Sequence, residues 1–410
     1  MLMAQLPAEF TEYTRQLMGE ERFERYLLSF EKPAPVSIRL NPKKMADSGW
    51  MMDDVEQVPW CRNGFYLKQR PNFTFDPLFH AGCYYVQEAS SMFLDEVLRQ
   101  MHNAYVNYQP SAIRPLTALD LCAAPGGKST LLRAALPADC VLFSNEPIRN
   151  RASILLENVE KWGYDNHIVT NAYPKDYRKA KMRFDLILCD VPCSGEGMFR
   201  KDEATIREWS PQQVEKCWQL QREIVSDAWA CLNDGGIMIY STCTFNTKEN
   251  EENIRWMLQE FDCEVVPIET KPEWNITGSL LEGFTEPVYR FIPGISRGEG
   301  LFMCALRKGG KKEEGRGKTS DIRLLTSDFR LQTSDIKIEL TYAQAMAYLR
   351  HEALILPEDT PRGIVTVCFE GHPLGPAKNI GSRANNLYPK EWKIKTTHIP
   401  TEYEPILKKI

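Results

Sequence analysis

Two cysteines, an aspartate and a glycine-rich turn stand out because each follows a short apolar run that reads as a strand. Cys243 ends the run 236–241, within Tyr240-Ser241-Thr242-Cys243-Thr244. Asp190 and Cys193 leave the run 184–189, within Asp190-Val191-Pro192-Cys193-Ser194-Gly195-Glu196-Gly197. A cysteine is a nucleophile when ionised and an inert small hydrophobe when buried. Two thiols and one carboxylate on neighbouring strand ends favour the nucleophilic reading. Pro192 fixes the backbone beside Asp190. Acid-Pro-Pro-aromatic tetrads accompany methylation of base amino groups, whereas this tetrad ends in the thiol of Cys193. The plainer alternative for Asp190 is a buried carboxylate capping its own loop.

The turn Asp120-Leu121-Cys122-Ala123-Ala124-Pro125-Gly126-Gly127-Lys128-Ser129 lies between a strand and a helix. Small residues and two glycines let backbone amides approach a ligand at the helix N-terminus. It is not a P-loop, because GxxxxGK[ST] would need glycine where Cys122 stands. Glu146 ends the following strand, where an acid can accept ribose hydroxyls; alone it reads as a solvated loop carboxylate. Together, turn and acid favour a nucleoside cofactor over a phosphate-rich one. Asn171, after the run 167–170, stands where an adenine edge is read, or is simply a turn residue.

The elements that must carry these groups alternate strand and helix. Strands are predicted over 116–121, 141–145, 167–170, 184–189 and 236–241, with helices from Ser129, through Ile154, Leu155 and Val159, and over 214–232. That alternation predicts an α/β fold, a Rossmann-like doubly wound parallel sheet that binds ligands at the carboxyl ends of its strands. Before it, Phe10, Tyr13 and Leu17, then Phe23, Tyr26, Leu27 and Phe30, recur at helical spacing, with Gly19 between them. The alternating stretch 36–41 follows, so residues 1–75 are expected to form a small α+β domain. The run from Asn246 to Asn253, rich in Lys248, Glu249, Glu251 and Glu252, reads as a solvated helix start. Residues 309–339 read as a linker that contains three seven-residue copies, TSDIRLL, TSDFRLQ and TSDIKIE, with alternating short strands or an RNA-facing extension as the alternative for the repeat. A last small domain is expected over 340–410, with a helix 342–349 and a strand 364–369.

The chain has 410 residues, a net charge of −5 and ordinary globular composition. The total opposes binding nucleic acid through bulk charge. Its distribution is uneven, since residues 371–410 hold seven Lys or Arg against three acids. No apolar run approaches a membrane span. Twelve cysteines, without a signal-like start or regular spacing, point to reduced thiols in a cytoplasmic protein with no metal site.

Taken in order, DLCAAPGGKST (120–130), DVPCSGEGMFRKD (190–202), YSTCTFNTKENEENI (240–254), YYVQEASSM (84–92) and RGEGLFMCALRK (297–308) resemble the Sun-family RNA cytosine-C5 methyltransferases, in their bacterial RsmF-like ribosomal RNA branch. NNLYPKEW (385–392) resembles that branch's terminal PUA-like module. The resemblance covers nearly the whole chain except the repeat. It implies a methyltransferase domain over 76–308 between two RNA-binding domains, and S-adenosyl-L-methionine held by Cys122, Ala123, Ala124, Pro125, Gly126, Gly127, Lys128, Glu146, Asn171 and Asp190. It also implies Cys243 as nucleophile and Cys193 as the thiol that assists release of the methylated RNA. The adenine-site position, acidic in several relatives, falls at 170–173 here.

The implied chemistry accounts for the thiol. C5 of cytosine is a poor nucleophile until a nucleophile adds to C6, and a thiolate does this readily near neutral pH. Asp190 would stabilise the adduct at N3, with Lys128 orienting it. The expected partner is ribosomal RNA of the small subunit, on a monomer. The basic tail with Tyr388 and Trp392 would form an RNA platform, with Arg39, Lys43 and Lys44 of the N-terminal domain opposite. Transfer RNA as substrate, amino-group methylation, and a non-catalytic assembly factor are the competing readings.

Overall fold

The computed structural model describes residues 6–46, 49–106, 115–310, 323–325, 331–396 and 398–409. Its centre is a sheet in which five parallel strands lie in the order Leu232–Thr242, Phe184–Asp190, Thr117–Asp120, Val141–Asn145 and His167–Thr170. Antiparallel Leu301–Lys308 and Cys263–Val265 extend the first edge. The strand order reverses between Thr117–Asp120 and Phe184–Asp190, which opens a crevice at their carboxyl ends.

These runs are apolar along their middles because both faces are covered. Ala118, Leu188, Ile237 and Ile239 pack on one side under helices Phe93–Val106 and Gly127–Ala135. Leu119, Ile187, Met238 and Tyr240 pack on the other under helix Pro211–Cys231. The doubly wound α/β sheet expected from the sequence is therefore present. Among the described residues no helix is long and apolar enough to cross a membrane.

The N-terminal region departs from the expected unit in two ways. Helices Ala8–Met18 and Glu20–Leu28 bury Phe10, Phe23 and Tyr26 against Phe199, Phe245 and Ile292, which lie outside the N-terminal region. The small sheet is completed by Tyr84–Val86, paired with Val36–Leu40, so this unit runs beyond residue 75. The period of the helices was legible, but not which core they join.

The C-terminal sheet holds Lys337–Glu339, Gly363–Phe369, His372–Asn379 and Ala384–Asn386, with helix Tyr342–Leu349 begun by a Thr341–Gln344 capping box. Its core is continuous with that of the N-terminal sheet. Ile38, Leu78 and Tyr84 join Leu349, Val367 and Leu374 in one cluster. Asp76 accepts hydrogen bonds from Tyr84 (2.8 Å) and Tyr403 (3.0 Å) at this seam. The two small domains thus share a core and do not stand opposite each other.

The linker reading is also revised. Leu324–Leu325 pairs with Val169 and Thr170 at the edge of the central sheet, and the third repeat supplies Lys337–Glu339 to the C-terminal sheet. Most of the first two copies lies outside the described residues.

Candidate active site

The crevice is built from three strand ends. Thr117–Asp120 delivers the glycine-rich turn, Phe184–Asp190 delivers Asp190 and Cys193, and Leu232–Thr242 delivers Cys243. Gly126 sits at φ 120°, a conformation that favours glycine, and begins the helix Gly127–Ala135. A Cβ on Gly127 would lie 3.4 Å from the Tyr85 ring, so the segment 84–92 seats directly behind the turn. Ala123 and Ala124 pack on Leu155, Val159 and Val169. Pro125 is exposed and Cys122 half-buried; burial first, then nearby acids and Cys189, push the Cys122 thiol well up.

Lys128 and Asp190 meet across the crevice at 2.8 Å. Burial alone would lower the Lys128 ammonium, but the charge and hydrogen bond of Asp190 hold it above its ordinary value. The second oxygen of Asp190 accepts from Ser241 Oγ at 2.6 Å, which ties this carboxylate to the strand that carries Cys243. Beneath them Asp120 is fully buried; one oxygen accepts from Ser129 Oγ at 2.5 Å and the other has no protein partner. Burial pushes Asp120 up to about 7.

Cys193 and Cys243 come together with sulfurs 3.2 Å apart, and the Cys243 amide donates to the Cys193 sulfur at 3.3 Å. The hydrogen bond to Cys243 and burial push the Cys193 thiol well above its ordinary range, while the Cys243 amide acts in the opposite sense. Both cysteines are half-buried at the crevice.

Two buried carboxylates hold the thiol loops in register. Glu196 accepts from the amides of Phe245 (2.7 Å) and Asn246 (2.9 Å). Glu249 accepts from Ser194 N (3.0 Å), Gln221 Nε2 (2.6 Å) and Asn246 Nδ2 (2.8 Å), and burial pushes it up to about 7. Gly197 approaches Gly300 so closely that a Cβ there would overlap its Cα at 2.7 Å. The solvated reading of 246–253 is thus overturned: Asn246, Glu249, Asn250, Glu251 and Asn253 are all buried. Charged residues at these spacings look alike on an exposed helix and in a filled polar core.

Glu146 lies at the end of its strand, buried, with Ile148 N donating to it at 2.9 Å and Arg151 3.3 Å away. Arg151 also donates to Ala124 O (3.0 Å), and Asn158 donates to Pro125 O (2.8 Å). Neither residue carried a signal in the sequence beyond its place on a helix. Asn171 uses its amide nitrogen on the carbonyls of Glu146 (2.7 Å) and Pro147 (2.9 Å), the turn-residue alternative, so that nitrogen is spent on holding the Glu146 loop.

The expected RNA contacts Arg39, Lys44 and Tyr388 turn inward instead. Arg39 and Tyr388 are buried, and Lys44 donates to Lys161 O at 2.5 Å. Trp392 is half-buried beside Tyr388, with the Lys161 ammonium 5.7 Å from its ring centre. These side chains join domains, which their residue types alone do not reveal. Lys378, Arg383, Lys390, Lys393 and Lys395 remain exposed.

The crevice can therefore receive a nucleoside cofactor over the turn, and an electrophilic ring between the Lys128–Asp190 pair and the two thiols. The orphaned Asp120 oxygen, the glycine turn at a helix N-terminus and the buried Glu146 carboxylate fit S-adenosyl-L-methionine by donor type.

Comparison with known proteins agrees with that geometry. Residues 113–307 match the family profile described as 16S rRNA methyltransferase RsmB/F. Residues 6–89 match the N-terminal domain of 16S rRNA methyltransferase RsmF, and 336–394 match the methyltransferase RsmF PUA domain. The chain is 33% identical over 326 residues to ribosomal RNA small subunit methyltransferase F of Pectobacterium atrosepticum, covering 75% of this chain and 63% of that one. It is 31% identical over 319 residues to the Escherichia coli protein of the same name, covering 74% and 63%. It thus spans somewhat less than two thirds of the length of these relatives. Among solved structures, a methyltransferase homologue from Pyrococcus horikoshii superimposes with a TM-score of 0.60 and 28% identity, over 75% of this chain and 97% of that one. NSun6 of Pyrococcus horikoshii, solved with SFG, has a TM-score of 0.59 at 19% identity over 76% of this chain and 100% of that one, a likeness of fold.

Proposed function

The chain belongs to the RsmB/F family of methyltransferases, and from that premise we propose that it methylates C5 of a cytosine in small-subunit (16S) ribosomal RNA from S-adenosyl-L-methionine. The observation that carries this reading is the pair of sulfurs 3.2 Å apart beside the Lys128–Asp190 ion pair. Amino-group methylation needs no thiol, and a non-catalytic factor needs neither pair.

The residues divide the work as follows. The turn 122–128, with Asp120 and Glu146, holds the cofactor, which when bound supplies an electrophilic methyl group. The target cytosine leaves its stack to enter the crevice. Cys243 adds to C6 as a thiolate, its sulfur accepting the S–H of Cys193. As the ring becomes electron-rich N3 takes up a proton from water, and the Asp190 carboxylate, fixed by Lys128 and Ser241, accepts the N3–H and so stabilises the adduct. Lys128 keeps the Asp190 carboxylate oriented and offsets its charge. Once C5 carries the methyl group, water takes the C5 proton, the freed electron pair forms the C5–C6 double bond as the C6–S bond breaks, Cys243 leaves as a thiolate, and N3 gives its proton back to water. The departing thiolate again accepts a hydrogen bond from Cys193, which is the part that thiol plays in release. Exposed Lys378, Arg383, Lys390, Lys393 and Lys395 supply a local basic surface for RNA despite the acidic total.

Bisulfite sequencing of total RNA from cells with and without the gene tests substrate and reaction together. Loss of one or a few protected cytosines in small-subunit ribosomal RNA is expected. Loss confined to transfer RNA would overturn the substrate, and no lost cytosine would overturn the reaction.

A further inference from the structure

Eight of the twelve cysteines are buried, and Cys122, Cys193, Cys243 and Cys263 are half-buried. A small oxidant reaches these four first. Burial pushes the Cys122 thiol well up and the Cys263 thiol up to about 11, so both stay protonated and slow to react near neutral pH. Cys193 and Cys243 differ in another respect, since each has the other's sulfur 3.2 Å away.

A disulfide brings its sulfurs to about 2.05 Å, so this pair has only about 1 Å to close. The two thiols cannot drift apart in the meantime. Glu196 binds the amides of Phe245 and Asn246, and Glu249 binds Ser194 N, which fixes the Cys193 loop against the Cys243 loop. The Cys243 amide donates to the Cys193 sulfur at 3.3 Å, so that sulfur already lies over the backbone of its partner. A reaction between groups held in this way runs as an intramolecular step.

We propose that Cys193 has a second role, as the resolving thiol that converts an oxidised Cys243 into a Cys193–Cys243 disulfide. The oxidant is a hydroperoxide. The Cys243 thiol and hydrogen peroxide give a sulfenic acid and water, with the O–O bond broken and the sulfur oxidised. The Cys193 sulfur then attacks the Cys243 sulfur. The S–S bond forms, the S–O bond breaks, and the hydroxide leaves with the Cys193 proton as a second water. The disulfide withholds the Cys243 sulfur from any ring in the crevice, and exchange with a dithiol restores both thiols. Without Cys193 the sulfenic acid meets more peroxide and becomes a sulfinic acid, which a dithiol does not reduce. The pair therefore makes oxidation of the crevice reversible. Loss of methylation on oxidation rests on the nucleophile proposed above, whereas the bond itself does not.

The test treats the whole protein with graded hydrogen peroxide, alkylates it, digests it without reductant and maps the peptides by mass spectrometry. A cross-linked pair containing Cys193 and Cys243, two hydrogens lighter than the free peptides, is expected before Cys122 or Cys263 is modified. Methylation should fall as the cross-link forms and return with dithiothreitol. In Cys193→Ser, dimedone should label Cys243, and its sulfinic acid should accumulate about tenfold faster or more than in the unaltered protein. Sulfinic acid at Cys243 of the unaltered protein with no cross-link, or equal rates of its formation in both proteins, would overturn the inference. A cross-link formed in protein that methylates no RNA would uphold it and count against the proposed function instead.

Discussion

The sulfurs of Cys193 and Cys243 stand 3.2 Å apart, although the two residues end different parallel strands and lie 50 positions apart in the chain. Their closeness follows from the pairing of Phe184–Asp190 with Leu232–Thr242, in which Ser241 lies level with Asp190. Glu196 and Glu249 then bind the two loops to each other from below. The pair is a product of sheet register and a buried polar network.

The ion pair between Lys128 and Asp190 gives a first prediction. Asp190→Asn should lower turnover by roughly 10²–10⁴-fold, and Lys128→Met by less, with cofactor affinity changed little by the asparagine substitution. Because Lys128 acts through Asp190, the double variant should be hardly slower than Asp190→Asn alone. Single-turnover kinetics with saturating RNA would check this. Additive losses, or full turnover in Lys128→Met, would contradict the orienting role.

A second prediction concerns pH and stability. The folded pKa of Asp120, up to about 7, lies above that of an ordinary aspartate in the unfolded chain. Its stabilising contribution is therefore fully present below about pH 4 and is lost as pH rises through about 7. Asp120→Asn keeps an acceptor for Ser129 but cannot ionise. Between pH 5 and 8 the unaltered protein should lose more stability than this variant, by on the order of 2 kcal/mol. Urea unfolding at both pH values measures it, and parallel slopes would refute the assignment.

The third prediction rests on Arg290, which is 1% exposed, pairs with buried Glu251 and donates to Phe245 O at 2.7 Å. Arg290→Met leaves the Glu251 carboxylate buried without its partner. It should cost about 3–5 kcal/mol in unfolding free energy. A loss under about 1 kcal/mol would mean that water replaces the guanidinium.

A fourth prediction separates the RNA surface from the domain joints. Replacing Lys390, Lys393 and Lys395 by glutamine should weaken RNA binding and flatten its dependence on salt, with little effect on melting temperature. Trp392→Ala, which removes a side chain packed on Tyr388 and Lys161, should instead lower the melting temperature. Filter binding across a salt series, paired with thermal melts, would reveal the reverse pattern if these roles are exchanged.

The central sheet, and the strand ends that it brings together, were legible because apolar runs of strand length lead into Asp120, Glu146, Asp190 and Thr242. What escaped the sequence is enclosure by distant segments. Glu249 and Asn253 look solvated until Gln221 and Tyr240 are seen to surround them. Arg39 and Lys44 look like RNA contacts until Thr130 and Lys161 are found as their acceptors. Phe10 and Tyr26 give the period of a helix but not its destination beside Phe245. Polar residue types report that a partner is needed, and only the fold says whether it is water, RNA or another domain.

The most direct measurement follows the covalent bond itself. Cys193→Ala removes the hydrogen bond that assists departure of Cys243, so RNA-linked protein should accumulate on denaturing gels when the variant meets RNA substrate and S-adenosyl-L-methionine. Mass spectrometry of the digested adduct should place the nucleotide on the peptide containing Cys243, and Cys193→Ala/Cys243→Ala should form none. Methylation without any adduct, persisting in Cys243→Ala, would contradict the thiol chemistry on which the proposed function depends.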